Sequence, residues 1–163
     1  MSGTPAPRPS YYDSPVLPKI MKYMGLAHVW LYRGTGGVLG RTYRVGAAGR
    51  NPAPVLLLEH RGRKTGAIHT APLGYIEDGS DLVVAASQGG LARHPQWYHN
   101  LLAEPDTHVQ IGRRRLAVRA VVADPRQREK LRPRISHAFV NFDNYESWAG
   151  EREIPFVILR PRS

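Results

Sequence analysis

The sequence of 163 residues contains no cysteine. This absence excludes a disulfide framework, a thiol nucleophile, and zinc or iron–sulfur sites with cysteine ligands, and it fits a reducing cytoplasm. No run of about 18 apolar residues occurs, and the first ten residues are not apolar, so neither a membrane span nor a secretory signal is predicted. H-E-x-x-H and G-x-S-x-G are also missing, and no close carboxylate pair suggests glycoside hydrolysis. We therefore predict no metal site, and hydrolysis is disfavoured.

What the sequence does contain indicates one globular domain. Apolar residues make up 42% and charged residues 22%, which is close to the globular average. The 16 glycines and 14 prolines predict many turns between short strands. We expect a flexible tail over residues 1–15 and a single domain over residues 16–163.

The charge is strongly positive, with a net value of +10. In residues 1–50, seven Lys and Arg residues stand against Asp13 alone, so the N-terminal third is the most basic part. Such a surplus favours an anionic partner, which by charge alone is nucleic acid, lipid head groups or an acidic small molecule.

Residues 16–32 have the periodicity of an amphipathic helix. Apolar residues recur at steps of three and four from Val16 to Leu31, while Lys19, Lys22 and Arg33 lie away from this stripe. The favoured interpretation is a helix docked on the domain. A second hypothesis is loose attachment to an anionic membrane surface.

The rest of the chain alternates hairpin and helix signals. Asp78-Gly79 marks a turn, and Asp124-Pro125 marks the start of a helix. Strands are predicted over 55–58, 68–76, 82–86, 107–111, 116–122 and 155–160, and further helices over 95–103 and 125–140. This order indicates an α+β domain built on an antiparallel barrel or sheet.

Two segments have residue types that suit a ligand. Gly62-Arg63-Lys64-Thr65-Gly66 offers cations, a hydroxyl and backbone N–H groups to an anion, although a solvated hairpin tip is slightly favoured by the residues alone. Ala85 to Gly90 ends a strand with small residues, where a flat ring could approach the backbone. Asn100 follows on a helix and could fix the edge of a heterocycle. This combination suits an enzyme whose cofactor carries the chemistry.

These motifs resemble the deazaflavin-dependent nitroreductase and quinone reductase family, whose members are small split β-barrels that bind coenzyme F420. The matching residues follow the family's order and spacing: Gly62 to Gly66, Pro72-Leu73, Asp78-Gly79, Val84 to Ser87 with Gly89-Gly90, Pro95 with Trp97-Tyr98, Asn100-Leu101, and Tyr145 with Ser147-Trp148. The resemblance implies an α+β, mainly antiparallel split β-barrel of the FMN-binding type, with an N-terminal helix and flanking helices.

The resemblance also implies a cofactor site, in which Arg63, Lys64 and Thr65 contact the anionic tail of F420. The residues that would line the cofactor are Arg63, Lys64, Thr65, His69, Thr70, Ala71, Pro72, Leu73, Gly74, Ala85, Ala86, Ser87, Gln88, Gln96, Trp97, Tyr98 and Asn100. The family often carries cations where His69 and Gln88 stand, so we expect a weaker grip on the tail.

The acceptor pocket implied by the resemblance involves Gly74, Phe142 and Tyr145. The family usually has an aromatic residue at the position of Gly74 and a tyrosine at the position of Phe142. We therefore expect a roomier, less polar pocket that prefers quinones to small nitro compounds. Ser87, Tyr145 or water would supply the proton.

The resulting functional prediction is hydride transfer from reduced F420 to a quinone, nitroaromatic or similar electron-poor acceptor, by a cytoplasmic protein. Loose membrane association through the N-terminal helix is the second hypothesis for its location. The alternatives are a non-enzymatic carrier of F420 or of a lipid, and a basic nucleic-acid-binding barrel. No nucleic-acid partner is predicted, because strands 107–111 and 116–122 lack the aromatic residues on which bases stack. The sequence leaves the physiological acceptor and the oligomeric state open.

Overall fold

A computed structural model describes residues 4–43 and 53–163 of the chain. Residues 1–3 of the predicted tail and residues 44–52 of the predicted domain lie outside the described residues. Among the described residues, no helix combines the length and the apolar character needed to cross a membrane.

The described residues form eight strands, four α-helices and two 3₁₀ helices. The strands are β1 (Thr42–Tyr43), β2 (Ala53–Arg61), β3 (Ile68–Gly74), β4 (Ile76–Asp78), β5 (Asp81–Ala85), β6 (Asp106–Ile111), β7 (Arg114–Val122) and β8 (Phe156–Pro161). The helices are α1 (Leu17–Gly34), α2 (Gln96–Ala103), α3 (Pro125–Ala138) and α4 (Phe142–Trp148), with 3₁₀ helices at Ser10–Asp13 and Gln88–Gly90. All six predicted strands and all three predicted helices are present within a few residues of their expected bounds.

The sheet is antiparallel and curls into an incomplete barrel. Its order is β1-β2-β6-β7-β8-β5-β4, and β3 pairs with β2 beside this path. The predicted strand 68–76 is interrupted at Tyr75, so that β3 pairs back on β2 while β4 forms a hairpin with β5 through Gly79. The α+β, antiparallel fold class is confirmed.

Alternate residues of the strands pack on opposite faces, as the two-residue period of a strand requires. Val84 and Leu159 belong to the core inside the barrel, together with Trp97 and Leu101 of α2. Val83 and Ile158 point the other way and pack in a second core beneath α3 and α4. The two cores hold α2 and α4 at fixed positions on the barrel.

Helix α1 docks on the barrel through a narrow face that the predicted stripe does not include. Val29 and Tyr32 are buried against Val55 and Leu57 of β2, and Gly25 lies against Pro72 of β3. The docked-helix prediction is therefore correct, but the apolar stripe lies on the solvent side.

Residues 4–15 lie along α4, where Ala6 N donates to Asn144 Oδ1 (2.9 Å) and Trp148 Nε1 donates to Ala6 O (2.8 Å). The ring of Tyr12 packs edge-on to that of Trp148, with 5.1 Å between centroids. The flexibility of residues 1–15 stays a prediction. In the structure, residues 4–15 lie on the surface of α4.

Helix α3 begins with a capping box and holds α4 by ion pairs. Asp124 Oδ1 accepts from Gln127 N, and the Gln127 side chain accepts from Asp124 N. Arg128 and Arg132 both bind Glu146 of α4, at 2.9 and 2.6 Å. Because Tyr145 is the neighbour of Glu146, these contacts fix the helix that carries Tyr145.

Candidate functional site

The loop of residues 62–66, called here the 62–66 loop, is a tight turn between β2 and β3. Gly62 N donates to Ala67 O and Gly66 N to Gly62 O, both at 2.7 Å. A Cβ on Gly62 would lie 2.6 Å from Thr65 Oγ1, and Gly66 has a φ of +71°, so both positions favour glycine. Lys64 is exposed, and among the described residues it forms no ion pair. Its charge is therefore available to an anion.

Arg63 is tied to α2 by a set of hydrogen bonds around Asn100. Asn100 Oδ1 accepts from Arg63 N (3.2 Å) and from Arg63 Nη1 (3.0 Å), and Gln96 Oε1 also accepts from Nη1 (2.9 Å). A guanidinium has five N–H donors, so the remaining donors of the exposed Arg63 can still bind an anion. The sequence placed all three residues at the cofactor site, and the structure brings them together.

The other end of Asn100 is held by a buried histidine that the sequence did not single out. Asn100 Nδ2 donates to Nδ1 of His60 over 2.9 Å. Burial, and to a smaller extent the neighbouring His69, lower the pKa of His60 to about 4, so its ring is neutral at pH 7. The ring of His69 stacks on it with 5.5 Å between centroids. His60 is distinguished only by its burial on the inward-facing side of β2. The sequence analysis did not predict this burial.

The second half of the site is residues 87–90, called here the 87–90 turn, which follows β5. Gln88, Gly89 and Gly90 have φ values of +46°, +62° and +82°. A Cβ on Gly90 would lie 2.9 Å from the Cα and carbonyl oxygen of Tyr145, so only glycine allows this approach. The turn and α4 are therefore in direct contact, which brings Ser87 and Tyr145 to the same region.

One tyrosine hydroxyl and one methionine lie next to Gly89. A Cβ on Gly89 would lie 3.5 Å from Tyr12 Oη and 3.7 Å from Met21 Cε. Burial, with smaller contributions from Tyr145 and Tyr11, raises the pKa of Tyr12 to about 12, and burial also raises the pKa of Tyr145. Both phenols are therefore protonated at neutral pH and can donate a hydrogen bond.

The structure places Gly74 and Phe142 differently from the expected open pocket. A Cβ on Gly74 would lie 2.5 Å from Cε1 of Phe139, so the Phe139 ring already fills that space. Phe142 is 1% exposed and packs on Phe156 in the core under α3 and α4. The structure thus brings Tyr145 to the 87–90 turn, whereas the expected extra room at Gly74 is absent and the Phe142 ring lies in the core.

The remaining predicted residues divide between core and β3. Ala86 and Trp97 are buried inside the barrel, and Tyr98 packs partly against it. Thr70 Oγ1 accepts from Arg33 Nη2 of α1 over 3.0 Å, which shows that α1 lies over β3. Ala71, Pro72, Leu73 and Ala85 are half-buried. Over residues 4–43 and 53–163 there is no cluster of three or more His, Asp or Glu side chains arranged to hold a metal ion.

These residues fit a ligand with an anionic tail and a flat ring. The 62–66 loop offers exposed cations, and the 87–90 turn offers backbone without bulky side chains. Gln88 Oε1 is the one buried side-chain nitrogen or oxygen in the described part of the chain without a hydrogen-bond partner, so an acceptor is available there for a ligand N–H.

The chain is similar to several known proteins. The model of the family described as F420H(2)-dependent quinone reductase matches residues 25–161. A Mycobacterium tuberculosis protein assigned to these reductases is 54% identical over 73% of this chain and 99% of its own. A second M. tuberculosis protein, named F420H(2)-dependent quinone reductase, is 37% identical over 83% of this chain and 88% of its own. A solved F420H2-dependent reductase is 30% identical, with a TM-score of 0.60 over 66% of this chain and 94% of that one.

Proposed function

The chain belongs to the F420H(2)-dependent quinone reductase family, and we propose that it reduces a quinone with hydride from reduced coenzyme F420. The observation that carries this function is the family match over residues 25–161, which includes both the 62–66 loop and the 87–90 turn. The fold agrees, because the solved F420H2-dependent reductase superposes on 66% of this chain.

The chain's own residues have three tasks in this reaction. The exposed cations Arg63 and Lys64 bind the anionic tail by charge-assisted hydrogen bonds. The backbone of the 87–90 turn supports the ring, and Tyr12 and Met21 beside Gly89 exclude water. When bound, reduced F420 would supply the hydride, which is a proton together with two electrons. One further proton is needed to give the hydroquinone.

Tyr145 and Ser87 are the proposed proton sources. The backbone of Tyr145 lies against Gly90, and its phenol keeps its proton at neutral pH because burial raises its pKa. Ser87 begins the 87–90 turn and is half-buried. A hydroxyl can pass its proton to a quinone oxygen and regain it from water.

We place the acceptor against Tyr12 and Met21, whose side chains lie next to Gly89, and against Tyr145, whose backbone contacts Gly90. Two of them are rings and the third is a thioether, so this wall is mainly apolar. An apolar wall favours a quinone over a small polar nitro compound, because it rewards buried apolar area. Reduction of nitroaromatics is expected to be slower.

The decisive experiment is anaerobic turnover of reduced F420 by the purified protein with a quinone panel and a nitroaromatic panel. Re-oxidation of F420 that depends on both protein and quinone supports the enzyme, whereas binding of F420 without turnover supports the carrier alternative. Tighter binding of FMN than of F420 contradicts the proposal.

Lys64→Ala tests the tail contact, with Lys130→Ala as the control on an exposed position of α3. Loss of one charge-assisted hydrogen bond should weaken F420 binding by about 1.5–3 kcal/mol. The control should bind F420 as the unchanged protein does. Equal affinities of the two variants, measured by fluorescence titration, would rule out this role of Lys64.

We also propose that the solvent face of α1 rests on an anionic membrane. Trp30 is 78% exposed, Tyr23 68% and Met24 66%, which is unusual for a stripe of large apolar side chains. Lys19 and Lys22 are exposed on the same helix. This arrangement is typical of helices that lie in the headgroup region, where a lipid-soluble quinone is reached.

Basic residues of the β6–β7 hairpin lie next to the end of this helix. A Cβ on Gly36 would be 2.6 Å from Nε of Arg113, so the hairpin tip contacts the segment after α1. Arg114 is also exposed there. The proposed location is therefore the cytoplasmic surface of an anionic membrane, with apolar and basic groups facing it.

Co-sedimentation with vesicles tests this placement. The protein should pellet with phosphatidylglycerol vesicles at low salt and remain in solution with phosphatidylcholine vesicles. The double variant Tyr23→Ser with Trp30→Ser should lose binding, whereas Leu102→Ser, a change at an exposed position of α2, should not. Pelleting of the double variant like the unchanged protein would contradict the proposal.

A further inference from the structure

Arg152, in the segment between α4 and β8, binds the backbone on both sides of the 87–90 turn. Its Nη1 donates to Ala86 O (3.0 Å) and its Nη2 to Ser87 O (2.7 Å). Its Nε and Nη2 both donate to Leu91 O, at 3.0 and 2.8 Å. Nη1 also donates to His94 Nδ1 at 3.0 Å. The planar guanidinium of Arg152 therefore connects the residues directly after β5 with the segment after the turn.

The turn that Arg152 holds has a backbone that would not form unaided. Gln88 has a φ of +46° and is the one non-glycine residue in the described segments with a positive φ. A left-handed conformation at such a residue is strained and persists only where its surroundings enforce it. The side-chain oxygen Oε1 of Gln88 itself is buried without a hydrogen-bond partner. Strain and an unused acceptor at one place are typical of a binding site.

The charge of Arg152 argues against a purely architectural role. Its side chain is half-buried, and none of the ion pairs among the described residues involves it. Burial lowers the pKa of Arg152, yet a guanidinium keeps its proton in proteins. Stability alone is achieved at lower cost by apolar packing than by a desolvated charge without a carboxylate. What a guanidinium adds is the rigid orientation of several carbonyl groups at once.

We propose that Arg152 is a positioning residue of the F420 site, which fixes the 87–90 turn in the geometry that supports the cofactor ring. The proposal rests on the proposed function. Arg152 lies outside the 62–66 loop and α2, which carry the proposed ligand contacts. Arg152 acts through the carbonyls of Ala86, Ser87 and Leu91 and touches neither the hydride donor nor the acceptor.

The test compares Arg152→Gln and Arg152→Lys with the control Arg160→Gln, which removes an exposed arginine of β8 whose partner is Asp81. Hydrogen exchange is measured on the ligand-free proteins at the amides of Gly90 and Leu91, which donate to Ser87 O and Gln88 O. Both Arg152 variants should exchange about tenfold faster or more at these amides, with core strands unchanged. A lysine cannot reproduce the fork, so Arg152→Lys should not restore protection.

Cofactor binding and turnover complete the test. Both Arg152 variants should bind F420 about tenfold more weakly, and kcat with a quinone at saturating F420 should fall as well, while Arg160→Gln matches the unchanged protein. Unaltered exchange at Gly90 and Leu91, or unaltered F420 affinity, overturns the proposal. Failure of both variants to fold also overturns it, because Arg152 is then a folding residue. If the unchanged protein does not bind F420, the proposed function fails, and faster exchange in the variants still shows that Arg152 holds the turn.

Discussion

Replacing Asn100 by alanine should destabilise the protein, because the amide connects two groups that differ in their access to water. Asn100 is 4% exposed, and its Nδ2 is the donor to Nδ1 of His60, which is 7% exposed. Removal leaves a buried acceptor without a partner, which costs about 1–3 kcal/mol. Arg63 is exposed and regains water in place of its two bonds to Oδ1, so its loss adds little. A small cavity brings the expected total to about 2–3 kcal/mol.

Urea unfolding followed by circular dichroism measures this free energy, and thermal unfolding should show a Tm lower by about 4–12 °C for a protein of this size. Gln96→Ala is the matched control, since Gln96 is exposed and accepts one hydrogen bond from Arg63. It should change stability by less than about 0.5 kcal/mol. His60→Leu combined with Asn100→Ala should cost at least about 1 kcal/mol less than the two single changes added together. A loss below about 0.5 kcal/mol in Asn100→Ala, or additive effects in the cycle, would refute the reasoning.

Three further outcomes follow from the structure. The pKa of His60 is about 4 in the folded protein and ordinarily 6.5, so the unfolded chain takes up the proton first on acidification. The unfolding free energy should therefore fall by about 1–2 kcal/mol between pH 7 and 5. His60→Leu should remove this part of the pH dependence. Gly74→Ala should cost about 1–3 kcal/mol because its Cβ meets the Phe139 ring, and Phe139→Leu should relieve the cost in urea unfolding of the double variant. Phe142→Tyr should lower stability by about 1–3 kcal/mol, because it buries a hydroxyl. It should leave the ratio of kcat/KM for quinones and nitroaromatics unchanged, whereas a changed ratio would mean that this position faces the acceptor.

Local signals were sufficient to predict most of the strands and helices. The Asp78-Gly79 turn, the Asp124-Pro125 start of α3 and the 62–66 loop each depend on a few neighbouring residues, and all three are present in the structure. Helix α4 was missed because it has seven residues and lies directly after α3, where no apolar period distinguishes it. Its position depends on the ion pairs to α3 and on the glycine contact with the 87–90 turn.

Tertiary contacts determined what the sequence could not supply. The period of α1 revealed an apolar stripe, but the docked side was decided by the fit of Val29 and Tyr32 beside β2. Likewise, the space at Gly74 is filled by Phe139, a residue from a distant part of the chain. Arg152 carries no sequence signal, because its role depends on which carbonyls face it.

The position of β8 in the sheet has a consequence for how the chain folds. The pairs β2–β3, β4–β5 and β6–β7 join strands close in sequence, whereas β8 pairs with β7 on one side and with β5 on the other, for example Leu159 with Leu82. Hairpins with short loops close quickly, and contacts between distant residues form slowly because the intervening chain must first be ordered. We expect the hairpins to form early and β8 to join them in the rate-limiting step. Until then the 87–90 turn lacks its neighbour across the sheet, so the ability to bind a cofactor should appear last during refolding.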